Sequence, residues 1–79
     1  MEYIKGLVVK ASAGRDKERF FIITDIDEGF VYIADGKTRP LERPKKKNPL
    51  HLKATKTAAE DADTNRKVRR FLAEFQQKC

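Results

Sequence analysis

The stretch VVKASAGRDKERFFIITDI, Val8–Ile26, decides how this chain folds. Two apolar runs flank a tip that holds one glycine, Gly14, among Lys10, Arg15, Asp16, Lys17, Glu18 and Arg19. The runs are rich in β-branched and aromatic residues and too short for helices, so they read as two strands joined by a loop. Gly14 takes a positive φ without the clash a side chain would meet, which lets the chain reverse there. The apolar residues do not alternate. Val8 and Val9, then Phe20 to Ile23, put hydrophobic side chains on both faces of a sheet. One face fills a core, and the other needs a cover.

Working outward, YIKGLVVK (Tyr3–Lys10) is the first strand and RFFIITDI (Arg19–Ile26) the second. GFVYIADGK (Gly29–Lys37) reads as a third, ending at the hairpin signal Asp35-Gly36. TRPLERP (Thr38–Pro44) is expected to be an edge strand or bend, because Pro40 and Pro44 have no N–H for a ladder. PLHLKA (Pro49–Ala54) supplies a fifth. Short strands with turns about every ten residues point to an all-β barrel or sandwich. A barrel suits 79 residues, since closing the sheet removes most exposed edges.

The tail offers the cover. In TNRKVRRFLAEFQQ, the residues Val68, Phe71, Leu72 and Phe75 fall at i, i+3, i+4 and i+7, one stripe of a helix. Thr64 is the expected N-cap, with Asp63 second. The stripe is predicted to lie on the outer apolar face of the sheet, leaving Arg66, Lys67, Arg69 and Arg70 on the other side as either a second phosphate-contacting strip or a solvated helix face. Ala54–Asp63 reads as a linker, with a helical turn available at the Thr57-x-x-Glu60 capping box.

The charge is uneven. Residues 1–35 hold five basic and seven acidic side chains, whereas residues 36–56 hold eight basic ones against Glu42 alone. Nearly all of the +6 net charge therefore sits in one short segment. Such a focused field attracts polyanions, nucleic acid first and anionic membrane second. Two groups are candidates for phosphate contact. The first is the loop group Lys10, Gly14, Arg15, Lys17 and Arg19. Arg forks onto phosphate and Lys acts as a point charge, while Asp16 and Glu18 either orient these cations or cancel them. The second is Lys37, Arg39, Arg43, Lys45, Lys46, Lys47 and Lys53. There Pro44 and Pro49 restrict the backbone, and the lysines of the KKK run are expected to face solvent. Tyr3, Tyr32 and Phe30 are possible stacking residues, with Phe30 assigned to the core. His51 stands alone and packs or stacks rather than binding metal.

Other functions fail on inventory. Ser12 is the only serine and has no base nearby in sequence, and no phosphate-loop or dinucleotide fingerprint is present. No enzyme, no cofactor and no small-molecule substrate are expected. The single cysteine, Cys79, allows no internal disulfide. No run approaches the ~20 apolar residues of a membrane span, and Met1 leads straight into a strand-like run, so a cytoplasmic protein is expected.

Leu7-Val8-Val9-Lys10, followed by Gly14 in AGRDKERFFIITDI, resembles a KOW motif: strand, single-glycine loop, strand. With the continuation FVYIADGKTRPLERPKKKNPLHL, the chain is similar to the KOW-domain RNA-binding proteins related to ribosomal protein L-fourteen-e. The resemblance covers Gly6 to about Lys53, with a weaker echo in TNRKVRRFLAEF, and departs at Glu18, where many KOW loops carry a second glycine. It implies a mainly β fold, an SH3-like barrel of about five short antiparallel strands with a C-terminal α-helix. Residues 1–54 would form the barrel, 55–63 a linker and 64–79 the helix. It also implies RNA binding, ribosomal RNA first, with ribosomal proteins as possible neighbours. The alternative is a protein-docking SH3-like module of the translation or transcription machinery.

Overall fold

A computed structural model describes residues 3–15, 17–59 and 62–77. The roles expected of Asp16, Glu60 and Cys79 fall outside these residues. Five strands and one helix follow in order: β1 (Leu7–Ala11), β2 (Phe20–Asp27), β3 (Phe30–Ala34), β4 (Lys45–Lys47), β5 (Leu52–Ala58) and α1 (Asn65–Gln77). The strands form one antiparallel sheet in the order β4-β3-β2-β1-β5.

The two apolar faces expected from the unbroken run in β2 are both present. Leu7, Val9, Ala11, Phe21, Ile23, Val31, Ile33 and Leu52 bury one face. Val8 and Ile22 bury the other against Val68 and Leu72 of α1. Phe20 adds an edge-to-face contact with Phe75, ring centroids 5.2 Å apart. Thr64 caps the helix, its Oγ1 accepting from the Lys67 N–H at 3.2 Å. The helix thus covers the outer face, as its stripe predicts.

Among the described residues no helix covers the first face, so the sheet must cover itself. Its edges are β4 and β5, and only residues 48–51 separate them in sequence. Edges of a flat five-strand sheet lie about 19 Å apart. Three of the four linking residues form a 3₁₀ turn, Pro49–His51, capped by Asn48, and a 3₁₀ turn rises only about 2 Å per residue. The link is too short for a flat sheet, so the sheet curls. Irregular register in β1–β5 and in β2–β3 gives it places to bend. Long-range bonds cross the concavity: Lys47 Nζ reaches the Ala13 carbonyl at 3.4 Å, and the Tyr3 hydroxyl donates to the Pro49 carbonyl at 3.0 Å. Among the described residues no ladder joins β4 to β5, so the sheet is open along that seam.

Of the two readings of Thr38–Pro44, edge strand or bend, the bend holds, in the loop between β3 and β4. Other expectations need correcting, and the fourth strand is the lysine run itself. Its prolines keep that loop out of the ladder, while Lys45–Lys47 have the N–H groups to pair with Val31, Tyr32 and Ile33. The Asp35-Gly36 pair accordingly opens a long loop, not a two-residue hairpin. The fifth strand starts after the 3₁₀ turn and runs on to Ala58, so residues 55–58 pair with β1 instead of forming a linker. Thr57 lies in this strand, not in a helical turn, and Thr55 Oγ1 donates to the Val8 carbonyl at 2.7 Å. Finally, Phe30 is 40% exposed, not core.

Candidate nucleic-acid interface

The loop between β1 and β2 is built around two left-handed residues, Gly14 (φ 82°) and Glu18 (φ 74°). Glycine takes this conformation freely, whereas a glutamate is strained in it. Backbone bonds hold Glu18 there: its N–H donates to the Ala11 carbonyl at 2.8 Å, and the Ala11 N–H donates to the Arg19 carbonyl at 2.9 Å. The Glu18 side chain then lies at the foot of the loop, with Oε2 3.2 Å from Lys10 Nζ. Lys53 faces Lys10 across the β1–β5 ladder. Lys10, Ser12, Lys17, Glu18 and Lys53 line one small depression. The hydrogen bond and charge of Lys10, helped by the charges of Lys17 and Lys53, hold the Glu18 carboxyl below the ordinary glutamate range.

A second, larger groove of about 310 Å³ begins at the same residue. Glu18, Arg19, Phe20, Asp35, Lys37 and Arg69 are among its walls, with Leu72 and Ala73 of α1 beneath. Asp35, almost fully buried, organises this side. One carboxylate oxygen accepts from the N–H groups of Lys37 (2.9 Å) and Arg39 (2.8 Å), and the other lies 3.4 Å from Arg19 Nη2. Arg19 also donates to Thr38 Oγ1 at 3.2 Å. The β1–β2 loop and the β3–β4 loop, far apart in sequence, are thereby fastened together.

The helix fastens the second loop from behind. Asn65 Oδ1 accepts from the Leu41 N–H at 2.7 Å, its Nδ2 donates to Glu42 at 2.8 Å, and Arg69 Nη1 donates to the Gly36 carbonyl at 3.0 Å. Gly36 is buried at φ 78°, and a Cβ there would collide with the Asn65 carbonyl and crowd the Arg69 N–H. Only glycine permits this approach of loop to helix.

The sequence candidates divide accordingly. Lys10, Lys17, Arg19, Lys37 and Lys53 gather around Glu18, and Arg69 joins them from α1. Arg15 and Arg43 are exposed, on the β1–β2 and β3–β4 loops. Gly14 shapes the loop and carries no charge. Arg39 is half-buried and serves through its backbone, its carbonyl accepting from the N–H groups of Asp35 and Gly36. The KKK run does not face solvent as a block. Strand pairing alternates its side chains, so Lys45 and Lys47 share the inner face with Ile33 and Val31, while Lys46 lies on the other face. Lys47 is only 9% exposed and is tied to Ala13, Lys45 is half-buried, and Lys46 sits over the Phe30 ring, 4.4 Å from its centroid. His51 is exposed at the 3₁₀ turn.

Arg69 was indistinguishable in sequence from its basic neighbours on the helix. The only signal lay in pairing it with Gly36, which no local pattern provides. Among the described residues no cluster of three or more acidic, histidine or cysteine side chains could hold a metal, and no helix is long and apolar enough to cross a membrane. No family model matches the chain, and no curated protein matches it.

Proposed function

We propose that this protein is an RNA-binding module that grips phosphates through the cationic rim around Glu18, and that ribosomal RNA is its target. The observation that carries the reading is the convergence of six cations from four separate parts of the chain. Lys10, Lys17, Arg19, Lys37, Lys53 and Arg69 line two adjoining depressions in which, among the described residues, Glu18 and Asp35 are the acids. A curled sheet braced by a helix keeps their spacing fixed, so little order is lost on binding. Lys and Arg then displace condensed counterions from the phosphate backbone, which supplies affinity with little sequence preference. Phe20, beside Lys10 at 5.7 Å from its ring centroid, gives one wall of the groove an aromatic surface. The resemblance of the Lys10–Gly14 region to KOW motifs supports ribosomal RNA and an SH3-like barrel. The short 3₁₀ link between the two sheet edges supports the barrel reading as well.

One observation favours the second reading, a protein-docking module. Leu50 is 84% exposed in the 3₁₀ turn, a large apolar side chain that the phosphate-binding reading does not use. Co-sedimentation with ribosomal particles separates the two. The RNA reading predicts release by nuclease and by raised salt; retention after complete RNA digestion would favour protein docking through Leu50.

A further inference from the structure

We propose that the Glu18 carboxylate is a built-in competitor, occupying a phosphate subsite formed by Lys10, Lys17 and Lys53 and yielding it when a phosphate arrives. This inference rests on the phosphate-binding reading of the rim and adds to it a specific subsite and the residue that regulates it.

Three features of the loop lead there. Lys10 and Lys53 are directly opposite each other in the β1–β5 ladder, and like charges so placed repel. Glu18 supplies an anion beside them, 3.2 Å from Lys10 and lining one depression with Lys53. Glu18 does so from a left-handed backbone that favours glycine. The turn could be made without strain by another residue, so the carboxylate is held against a conformational cost. Lastly, the anchor is weak on its own side. The Glu18 side chain is 69% exposed, and an exposed ion pair contributes little. It can swing into solvent while the backbone bonds to Ala11 and Arg19 keep the loop in place. Ser12 and Ala11 complete the depression and leave it open to an incoming tetrahedral oxyanion. A phosphate, with more oxygens and more charge than a carboxylate, engages all three lysines together, which the single Glu18 contact does not.

This arrangement gives the rim a threshold. Isolated small anions compete poorly with a tethered carboxylate, whose local concentration is high. A polyphosphate chain already held at Arg19, Lys37 and Arg69 competes well, because its next phosphate arrives equally tethered. Glu18 therefore biases the rim toward continuous phosphate backbones over free phosphate.

The test compares Glu18→Gln with Glu28→Gln, which removes the same charge from the exposed β2–β3 turn. A ribosomal RNA stem-loop fragment is titrated by fluorescence anisotropy at low salt. In parallel, inorganic pyrophosphate is titrated by ¹⁵N NMR. Glu18→Gln should tighten RNA binding at least about threefold over Glu28→Gln, a gain that fades as salt screens the rim. It should also strengthen pyrophosphate-induced shifts at the amides of Lys10, Lys17 and Lys53. Adding Lys17→Ala and Lys53→Ala should abolish the gain. RNA binding with equal affinity for the two Gln variants would overturn the competitor role and leave the RNA reading standing. No RNA binding by any variant, with enhanced pyrophosphate shifts in Glu18→Gln, would keep the subsite and remove RNA as its ligand. Neither RNA binding nor pyrophosphate shifts would overturn both.

Discussion

The β1–β2 loop and strand β4 carry three basic residues each, yet they use them in opposite ways. In the loop and its flanks, cations converge on two neighbouring acids: Lys10 reaches Glu18 and Arg19 reaches Asp35, with Lys17, Lys37 and Lys53 around them. In β4 the strand's period of two sends adjacent lysines to opposite faces. Lys47 goes inward to the Ala13 carbonyl and Lys46 outward onto Phe30. A run of three basic residues therefore gathers less charge in one place than five dispersed ones, because backbone geometry, not sequence adjacency, sets which charges lie together.

The sharpest way to break this comparison is to exchange charges within β4. Lys47→Glu should destabilise the fold by about 3 kcal/mol, since it buries a carboxylate against a carbonyl. For a domain of this size that lowers Tm by about 15 °C. Lys46→Glu, one residue away, should cost less than about 1 kcal/mol, its loss being an exposed cation–π contact. Equal Tm values for the two variants by calorimetry would remove the distinction drawn between them.

Next in size is the effect on binding. Lys17→Ala combined with Lys53→Ala should weaken RNA binding about tenfold at low salt and make the slope of log affinity against log salt shallower by about 1.5. Lys46→Ala should change that slope by less than half as much, because it sits over Phe30, at the opposite end of β3 from Asp35 and the rim. A larger effect from Lys46 would return the interface to the lysine run.

Gly14→Ala tests the loop's shape alone. A Cβ there meets only Lys47 Nζ at 3.5 Å, an ordinary contact, so the cost comes from the positive φ. It should lower stability by about 1 kcal/mol in denaturant unfolding. The smallest effect is in pH. Glu18 has its folded pKa lowered from the ordinary 4.5, so the stability it adds is complete above 4.5 and is lost as pH falls through the lowered value. Wild type should therefore lose a small increment of stability in that acid window that Glu18→Gln does not lose.

Much of the fold was legible in the sequence because it rests on local patterns. The unbroken apolar run Phe20–Ile23 required two buried faces, and the Val68, Phe71, Leu72, Phe75 stripe supplied the cover with Thr64 as its cap. Strand boundaries after Ala34 were less legible, since a KKK run has low strand propensity and enters the sheet only because β3 offers it an edge. In the candidate site, Lys10, Lys17, Arg19, Lys37 and Lys53 were readable as cations, but their meeting was not. It depends on Asp35 clasping Arg19 and on Gly36 admitting α1, both long-range contacts. Phe30 was misplaced because aromatics in strands of small sheets are commonly core, and here it belongs to neither buried cluster and instead lies under Lys46.

The central claim is that one rigid scaffold gathers cations from separate segments into a single phosphate-binding rim. The most direct test is the salt dependence of binding to a ribosomal RNA stem-loop, with amide shifts followed by NMR at saturation. The account predicts a log–log slope of about −3 to −4, as four to six phosphates are neutralised, with shifts at Lys10, Lys17, Arg19, Lys37 and Lys53 together. Salt-independent association, or shifts confined to Lys45–Lys47, would contradict it.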